Sequence, residues 1–346
     1  MALSVKQLLE LKNKSEWQDW RWQWQNRITE LSQLLERPAK YNTQELLMPF
    51  GVTPHYLSLA DFSDSECPII RQFMPSSEEQ TDGEFSTLDP FDEVGQEILP
   101  RLVQRFTGRV LWQVANRCAV YCRFCMRKQM FLRKDAFRNN NDLDVLEHIS
   151  GAEDISEVIL SGGDPLVLGN HRLKKIITGL RAIRHLKSIR IHTRIPVTMP
   201  MRIDPELLAI FRENYPLTLV THFNHQCEIS VESAAAIRLM RMNGVAVLNQ
   251  AVLLRTVNDS VFELERLHMG LIEIGVQPYY LHQCDRVRGN AHFYVEPEQG
   301  MALVKEFADR NPGIAVPRYV IDLPGAESKQ LMVNDMNRCR ITDQSQ

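Results

Sequence analysis

The stretch VLWQVANRCAVYCRFC, residues 110–125, joins an apolar run to a loop that contains three cysteines. The apolar run at 110–115 predicts a buried strand, and similar short runs recur along the rest of the chain. They are EVILSG at 157–162, SIRIHT at 188–193, LTLVTH at 217–222, AVLNQAVLL at 246–254, QPYYLHQ at 277–283 and VPRYVID at 316–322. Helical patterns separate these runs, which predicts βαβ units around a parallel sheet.

The helical segments between the runs have readable ends. Asp204 followed by Pro205 predicts a helix start, and the helix through ESAAAIRLMRMN is predicted to end at Gly244. No glycine-rich dinucleotide fingerprint follows the first strand. We therefore predict an α/β fold, a partial (β/α) barrel of about six strands, with functional residues where the strands end.

The N-terminal hundred residues differ from the rest. Apolar residues at helical spacing, with Ser15 as the cap, predict an amphipathic helix. These residues are Trp17, Trp20, Trp24, Ile28, Leu31 and Leu35. Residues 62–98 are rich in Ser, Asp, Glu and Pro, which predicts an irregular connection over the surface. The expected division is 1–100 for a helical arm and connection and 101–346 for the barrel.

The composition excludes several classes of function. The chain has 346 residues, a formal charge of −3, 24% charged and 44% hydrophobic residues, without the basic excess of a nucleic-acid binder. No run approaches the roughly 18 apolar residues of a membrane span, and the start MALSVKQLLELKNKSEW lacks a signal peptide's features. A cytoplasmic location is expected.

Of the seven cysteines, three form a Cys-x3-Cys-x2-Cys loop at Cys118, Cys122 and Cys125. A structural zinc site is closed by four ligands, whereas three cysteines can hold a [4Fe–4S] cluster and leave one iron open. Zinc with a distant fourth ligand, such as Cys227 or Cys284, and chance spacing remain alternatives.

The loop, with aromatic Phe124 before its third cysteine, resembles that of radical S-adenosylmethionine enzymes. The resemblance implies that the open iron binds S-adenosylmethionine and that its cleavage yields a 5′-deoxyadenosyl radical. It also implies cosubstrate contacts by Ser161, Gly162, Gly163, Asp164, Arg194 and Gln250. A structural salt bridge for Arg194 and a satisfied core amide for Gln250 remain alternatives.

More distant segments resemble lysine 2,3-aminomutases: WQDWRWQ at 17–23, THFNH at 221–225, LNQAVLLRTVND at 248–259, PYYLHQCD at 278–285 and DLPGAESK at 322–329. In that family the lysine of the last segment, here Lys329, binds pyridoxal phosphate covalently. Arg105 and Arg109 in QRFTGRV match the family's phosphate ligands. A solvated lysine and two surface arginines are the corresponding structural alternatives.

The resemblance also suggests the substrate. Arg127 falls where the family's lysine enzyme grips the substrate carboxylate, and Asp285 and Asp322 fall where it grips the distant ammonium. A buried ammonium requires compensating carboxylates, whereas a glutamate substrate would require cations. The implied reaction is conversion of L-lysine to β-lysine by radical 1,2-amino migration. An enzyme dedicated to modification of elongation factor P and a non-catalytic iron–sulfur protein are the alternatives.

The resemblance implies an electron donor such as flavodoxin or ferredoxin. The lysine enzyme's interfacial zinc uses cysteines of a C-terminal extension and one that follows the VND segment, where this chain has Ser260 and stops at Gln346. Interfacial zinc is therefore not expected, Cys339 is assigned no role, and the formation of a homo-oligomer is left open.

Overall fold

The computed structural model describes residues 7, 10–12, 14–34, 46–81, 87–133, 137 and 141–332. Within these residues the strands form one ten-stranded sheet whose spatial order follows the chain. The strands are β1 (Glu97–Leu99), β2 (Leu102–Phe106), β3 (Arg109–Ala115), β4 (Glu157–Gly162), β5 (Ser188–His192), β6 (Thr218–Thr221), β7 (Ala246–Leu253), β8 (Gln277–Gln283), β9 (Arg318–Ile321) and β10 (Gln330–Leu331). The sheet runs from β1 at one edge to β10 at the other.

Strands β3 to β9 are all parallel, while β1, β2 and β10 add antiparallel strands at the two edges. Each of the seven predicted strands corresponds to one of these parallel strands. The predicted α/β partial barrel is confirmed, with seven parallel strands rather than about six. Since parallel strands end at the same side, the loops that follow them converge.

Helices connect successive strands and cover the sheet. They are α1 (Trp20–Gln25), α2 (Pro54–Leu57), α3 (Pro68–Phe73), α4 (Lys128–Leu132), α5 (Asp142–Gly151), α6 (Asn170–Arg181), α7 (Ile195–Thr198), α8 (Pro205–Glu213), α9 (Val231–Met242), α10 (Val261–Glu273) and α11 (Pro297–Arg310). Short 3-10 turns lie at Ser15–Gln18, Leu31–Gln33, Ser77–Gln80, Pro165–Val167, Pro200–Arg202, Gln226–Glu228, Ala291–Phe293 and Gly313–Ala315.

Both predicted helix signals are confirmed. The Asp204 side chain accepts a hydrogen bond from the backbone N–H of Leu207 at 2.8 Å and caps α8. Helix α9 ends at Met242, and Gly244 follows with a φ of 80°, a left-handed conformation that favours glycine.

The N-terminal segment is not the single helix that its spacing predicts. Asp19 has an extended conformation and accepts from the Arg21 N–H at 2.9 Å, so it caps a new helix, α1, after the turn at Ser15–Gln18. Beyond α1 the chain becomes extended, and Ile28 pairs with Val52 in an isolated antiparallel bridge. The end of the predicted helix, Leu35, lies outside the described residues.

The segment at 62–98 also differs from prediction, because much of it is buried rather than spread over the surface. Helix α3 begins with Pro68 and buries Ile69, Ile70 and Phe73 in the main core. The acidic residues that suggested a surface connection include two that are buried as partners of arginines, described below. Since one hydrophobic core contains residues from both sides of position 100, the division at that position stays a prediction.

Among the described residues, no helix combines the length and the apolar character needed to cross a membrane.

Candidate active site

A cavity of about 280 Å³ lies where the parallel strands end. Every residue to which the sequence assigns a role lines it. They are Arg105, Arg109, Cys118, Cys122, Cys125, Arg127, Ser161, Gly162, Gly163, Asp164, Arg194, Gln250, Asp285, Asp322 and Lys329. The topology thus brings residues from seven strand ends and loops into a single site. Their individual roles stay predictions.

The three cysteines of the loop after β3 share this cavity, whereas Cys227 and Cys284 do not line it. Burial raises the pKa of the Cys125 thiol to about 11, so metal binding must displace its proton. Among the described residues, the cysteines that line the cavity are these three. A structural zinc site is closed by four ligands, whereas a [4Fe–4S] cluster could be held by three cysteines with one iron left open. The three cysteines therefore fit an iron–sulfur cluster better than zinc.

The glycines after β4 have a packing role that the sequence does not reveal. A Cβ on Gly162 would lie 2.3 Å from the carbonyl oxygen of Ala115, and one on Gly163 would lie 2.4 Å from that of Arg117. Gly162 also has a φ of 116°. Glycine is required at both positions because the end of β4 lies against the backbone that leads into the cysteine loop.

Asp164 joins the ends of two strands. Its carboxylate accepts hydrogen bonds from the Thr193 hydroxyl at 2.6 Å, the Arg194 N–H at 2.7 Å and the Leu166 N–H at 3.0 Å. Burial raises its pKa to about 6 although these hydrogen bonds oppose the rise. The geometry gives Asp164 a structural task beside its predicted contact with the cosubstrate.

Arg194 is the centre of a buried polar network beside the cysteine loop. One terminal nitrogen donates to the Cys122 Sγ at 2.7 Å, and the other donates to Glu228 at 2.6 Å and to the Tyr56 hydroxyl at 3.1 Å. Glu228 also accepts from Tyr56 at 2.6 Å. Burial opposes the charge of Arg194, but Cys122, Tyr56 and Glu228 outweigh it and raise the pKa of the guanidinium. The structural salt bridge considered as an alternative is present.

Gln250 differs from its neighbour Asn249. Asn249 exchanges hydrogen bonds with the backbone of Phe223, at 2.8 and 3.1 Å, and is the satisfied core amide of β7. Gln250 lines the cavity instead, so it remains available for the predicted contact.

Two residues of the lysine segment, Asp322 and Lys329, form another part of the cavity wall. The Lys329 ammonium donates to a carboxylate oxygen of Asp322, and a terminal nitrogen of Arg105 lies 3.6 Å from the other oxygen. The guanidiniums of Arg105 and Arg109 lie over the same Phe106 ring, 5.1 and 4.9 Å from its centre. Two stacked cations near a lysine amine suit a phosphorylated aldehyde, so these residues fit pyridoxal phosphate.

Asp285 and Arg127 both line the cavity, but different charged residues lie next to them. Burial, and then the negative charge of Asp322, raises the pKa of Asp285 to about 7. Arg127 is paired with Glu93, whose oxygens accept from its Nε at 2.7 Å and its Nη2 at 2.8 Å. Burial opposes the charge of Arg127, but Glu93 outweighs it and raises the pKa.

The cavity wall also contains residues to which the sequence assigned no role, among them Glu93, His192, His222 and His282. Burial lowers the pKa of all three histidines well below the ordinary value, with nearby cations contributing. They therefore present neutral imidazoles to the cavity. Their positions at the ends of β5, β6 and β8 were a usable signal, since functional residues collect there.

A model of the Radical SAM superfamily matches residues 112–265, which include the cysteine loop and strands β4 to β7. The match, the three thiols and the order of the strands define a radical S-adenosylmethionine enzyme.

Curated relatives narrow the family. The chain is 36% identical over 323 residues to L-lysine 2,3-aminomutase of Fusobacterium nucleatum, with 91% of this chain and 76% of that protein covered. It is 33% identical to L-lysine 2,3-aminomutase of Buchnera aphidicola, with 91% and 96% covered. Glutamate 2,3-aminomutase of Clostridioides difficile is 32% identical, with 91% and 76% covered. The chain belongs to the lysine 2,3-aminomutase family and is an amino acid 2,3-aminomutase.

Proposed function

We propose that the protein converts L-lysine to β-lysine by radical 1,2-amino migration and that pyridoxal phosphate is its second cofactor. The observation that carries the choice of substrate is the pair of carboxylates at Asp285 and Asp322 in the cavity. Burial, and then the charge of Asp322, raises the pKa of Asp285 to about 7, and a cation bound between the two carboxylates would favour their ionised forms.

The partners of these carboxylates favour lysine over glutamate. Asp322 is only 7% exposed and contacts the Lys329 ammonium. A Lys329 that holds a cofactor covalently no longer offers that ammonium, so the two aspartates become available to the ε-ammonium of a substrate. A glutamate side chain would place a third carboxylate beside them, which is unfavourable in a buried site.

The remaining residues divide the work of binding. Pyridoxal phosphate, when bound, supplies the group that carries the migrating amine, while S-adenosylmethionine is the source of the radical. Cys118, Cys122 and Cys125 hold the cluster, and Arg105 and Arg109 bind the phosphate. Arg127 would bind the substrate α-carboxylate and so orient the amino acid in the cavity.

The cluster needs a one-electron donor, for which a flavodoxin or ferredoxin is proposed. A cytoplasmic location agrees with this requirement and stays a prediction.

Anaerobic turnover of reconstituted enzyme with L-lysine and with L-glutamate tests the substrate, and Asp322→Asn tests the pocket. Removing one partner of a buried charge pair costs about 2–5 kcal/mol, so the variant should show a higher KM for lysine with both cofactors still bound. If Asp322 only caps the turn into Pro324, stability and cofactor content should fall together instead. Equal affinity for lysine in wild type and variant, or faster turnover of glutamate, would contradict the proposal.

A further inference from the structure

Glu93 and Arg127 form an ion pair at the wall of the cavity. Glu93 is 2% exposed, and both of its carboxylate oxygens are engaged by one side of the guanidinium, Nε and Nη2, at 2.7 and 2.8 Å. Such a planar, two-bond contact fixes the guanidinium more closely than a single hydrogen bond would. The orientation of Arg127 is therefore set by a residue that lies 34 positions earlier in the chain.

The ion pair with Glu93 leaves the edge of the Arg127 guanidinium between Nη1 and Nη2 for another ligand. Because Glu93 takes the Nε side, Nη1 and one N–H of Nη2 remain as a second edge that can hold a carboxylate in the same planar manner. Nη1 lies 3.4 Å from the Ser161 hydroxyl, at the end of β4, and Arg127 and Ser161 both line the cavity. Among the described residues, the one partner of this edge is the Ser161 hydroxyl, at a long hydrogen-bond distance, so the otherwise free edge faces the cavity.

Glu93 is itself held in a structured turn. The carboxylate of Asp89 accepts from the backbone N–H groups of Glu93 and Val94, each at 3.0 Å. The same turn carries Phe91, whose ring lies 4.1 Å from the guanidinium carbon of Arg105. Residues 89–94, here called the support turn, therefore contact two of the arginines that are predicted to bind ligands.

We propose that Glu93 is a positioning residue that presents the free edge of Arg127 to the α-carboxylate of the amino acid substrate. The inference rests on the proposed function, since it takes Arg127 as the carboxylate ligand. Glu93 does not touch the reacting atoms. It balances the charge of Arg127 and fixes its plane, so that the substrate carboxylate meets an oriented guanidinium rather than a rotating one.

The chain offers a matched control. Glu97 also binds an arginine, Arg133, with both carboxylate oxygens, at 2.8 and 3.0 Å across 36 positions, although through the two terminal nitrogens Nη1 and Nη2. Neither of these residues lines the cavity. Glu97→Gln thus removes an equivalent ion pair from the same segment without touching the proposed carboxylate site.

The test compares Glu93→Gln, Glu93→Asp and Glu97→Gln as reconstituted holoenzymes under anaerobic conditions. Steady-state kinetics with L-lysine are combined with competition by L-lysinamide, which lacks the carboxylate charge. Glu93→Gln should raise the KM for lysine by about tenfold to a hundredfold with a much smaller change in kcat, and it should leave the inhibition constant of lysinamide within about threefold. Glu93→Asp should lie between it and wild type, and Glu97→Gln should match wild type.

Three results would overturn the inference. The first is an unchanged KM for lysine in Glu93→Gln. The second is tighter binding of lysine, which would mean that Glu93 competes with the substrate for Arg127. The third is an equal loss of affinity for lysine and lysinamide, which would indicate general disruption of the site. If Glu93→Gln does not fold, the comparison of Glu93→Asp with Glu97→Gln decides by the same criteria. A wild-type enzyme that binds no lysine would instead refute the proposed function on which the inference rests.

Discussion

The cysteine loop (residues 116–127) and the lysine loop (residues 322–329) line one cavity but are held by very different surroundings. Distant parts of the chain contact the cysteine loop: its Tyr121 N–H donates to the carbonyl of Gly51 at 3.0 Å, and its Arg123 N–H donates to that of Gln72 at 2.9 Å. Arg123, fully buried, also binds both carboxylate oxygens of Glu79 through one side of its guanidinium, Nε and Nη2.

The lysine loop has far less support. Most of its residues are exposed, Leu323 to the extent of 43%, and a Cβ added to Gly325 would meet nothing within 4 Å. After it, the chain returns to the sheet through β10, which has only two residues, both exposed. Segments with few buried contacts open at low free energy. The cysteine loop is therefore held by more buried contacts than the lysine loop, so we expect the lysine loop to open at a lower free energy.

The largest effect is expected in the cysteine loop. Serine at any one of Cys118, Cys122 and Cys125 should abolish both the bound iron and the cleavage of S-adenosylmethionine, because the cluster loses one of its three protein ligands. Iron analysis and an anaerobic cleavage assay measure this. Cys227→Ser, outside the cavity, should retain both. Full iron content together with full turnover in any of the three variants would refute the cluster assignment.

In the lysine loop, replacing Lys329 should abolish one step of the reaction and leave the other intact. Lys329→Ala should retain cleavage of S-adenosylmethionine but lose amino migration, because no lysine then holds the second cofactor. Borohydride reduction of the wild type followed by peptide mapping should place the cofactor on Lys329. Lys305→Ala, an exposed residue paired with Asp309 at 2.6 Å, serves as the control. A label on another lysine would contradict the assignment.

The buried contacts beside the cysteine loop can be tested through Glu228. Glu228→Gln leaves buried Arg194 without its counter-charge, and breaking such a pair costs about 3–5 kcal/mol. Unfolding in urea should show this loss. Glu213→Gln removes an exposed ion pair with Lys174, so it should leave the free energy of unfolding nearly unchanged. If the two variants are equally stable, the contrast between the buried network and the surface is wrong.

A smaller effect is expected from the protonation of Asp285. Its pKa of about 7 in the folded protein exceeds the value of about 3.9 in the unfolded chain. Between these values the folded state binds more protons, so the contribution of this group to stability falls as pH rises. The free energy of unfolding of Asp285→Asn, relative to that of wild type, should therefore rise by roughly 2 kcal/mol between pH 5 and pH 8. Urea unfolding without cofactors measures this difference. A constant difference across this range would show that Asp285 is ionised throughout.

Local patterns were sufficient for much of the fold and for the composition of the site. The seven parallel strands follow from short apolar runs, and α8 and α9 follow from Asp204 and Gly244. These signals depend on residues within a few positions of each other, which is why they can be read along the chain. The N-terminal helix failed because Asp19 caps a new helix within the predicted one.

The α/β barrel and the three-cysteine loop could be predicted from the sequence because each depends on residue types at short spacing, whereas Lys329 was identified by the resemblance of its segment to lysine 2,3-aminomutases. Only the tertiary structure decided that Glu93 binds Arg127, that Gly162 is needed for close approach to Ala115, and that Glu228 balances Arg194. Each of these contacts joins residues that are 34 or more positions apart in the chain. These residues come together when the strand ends converge in the protein interior, where an unpaired charge is strongly unfavourable. No pattern within a few residues of the chain indicates which partner a buried charge will have.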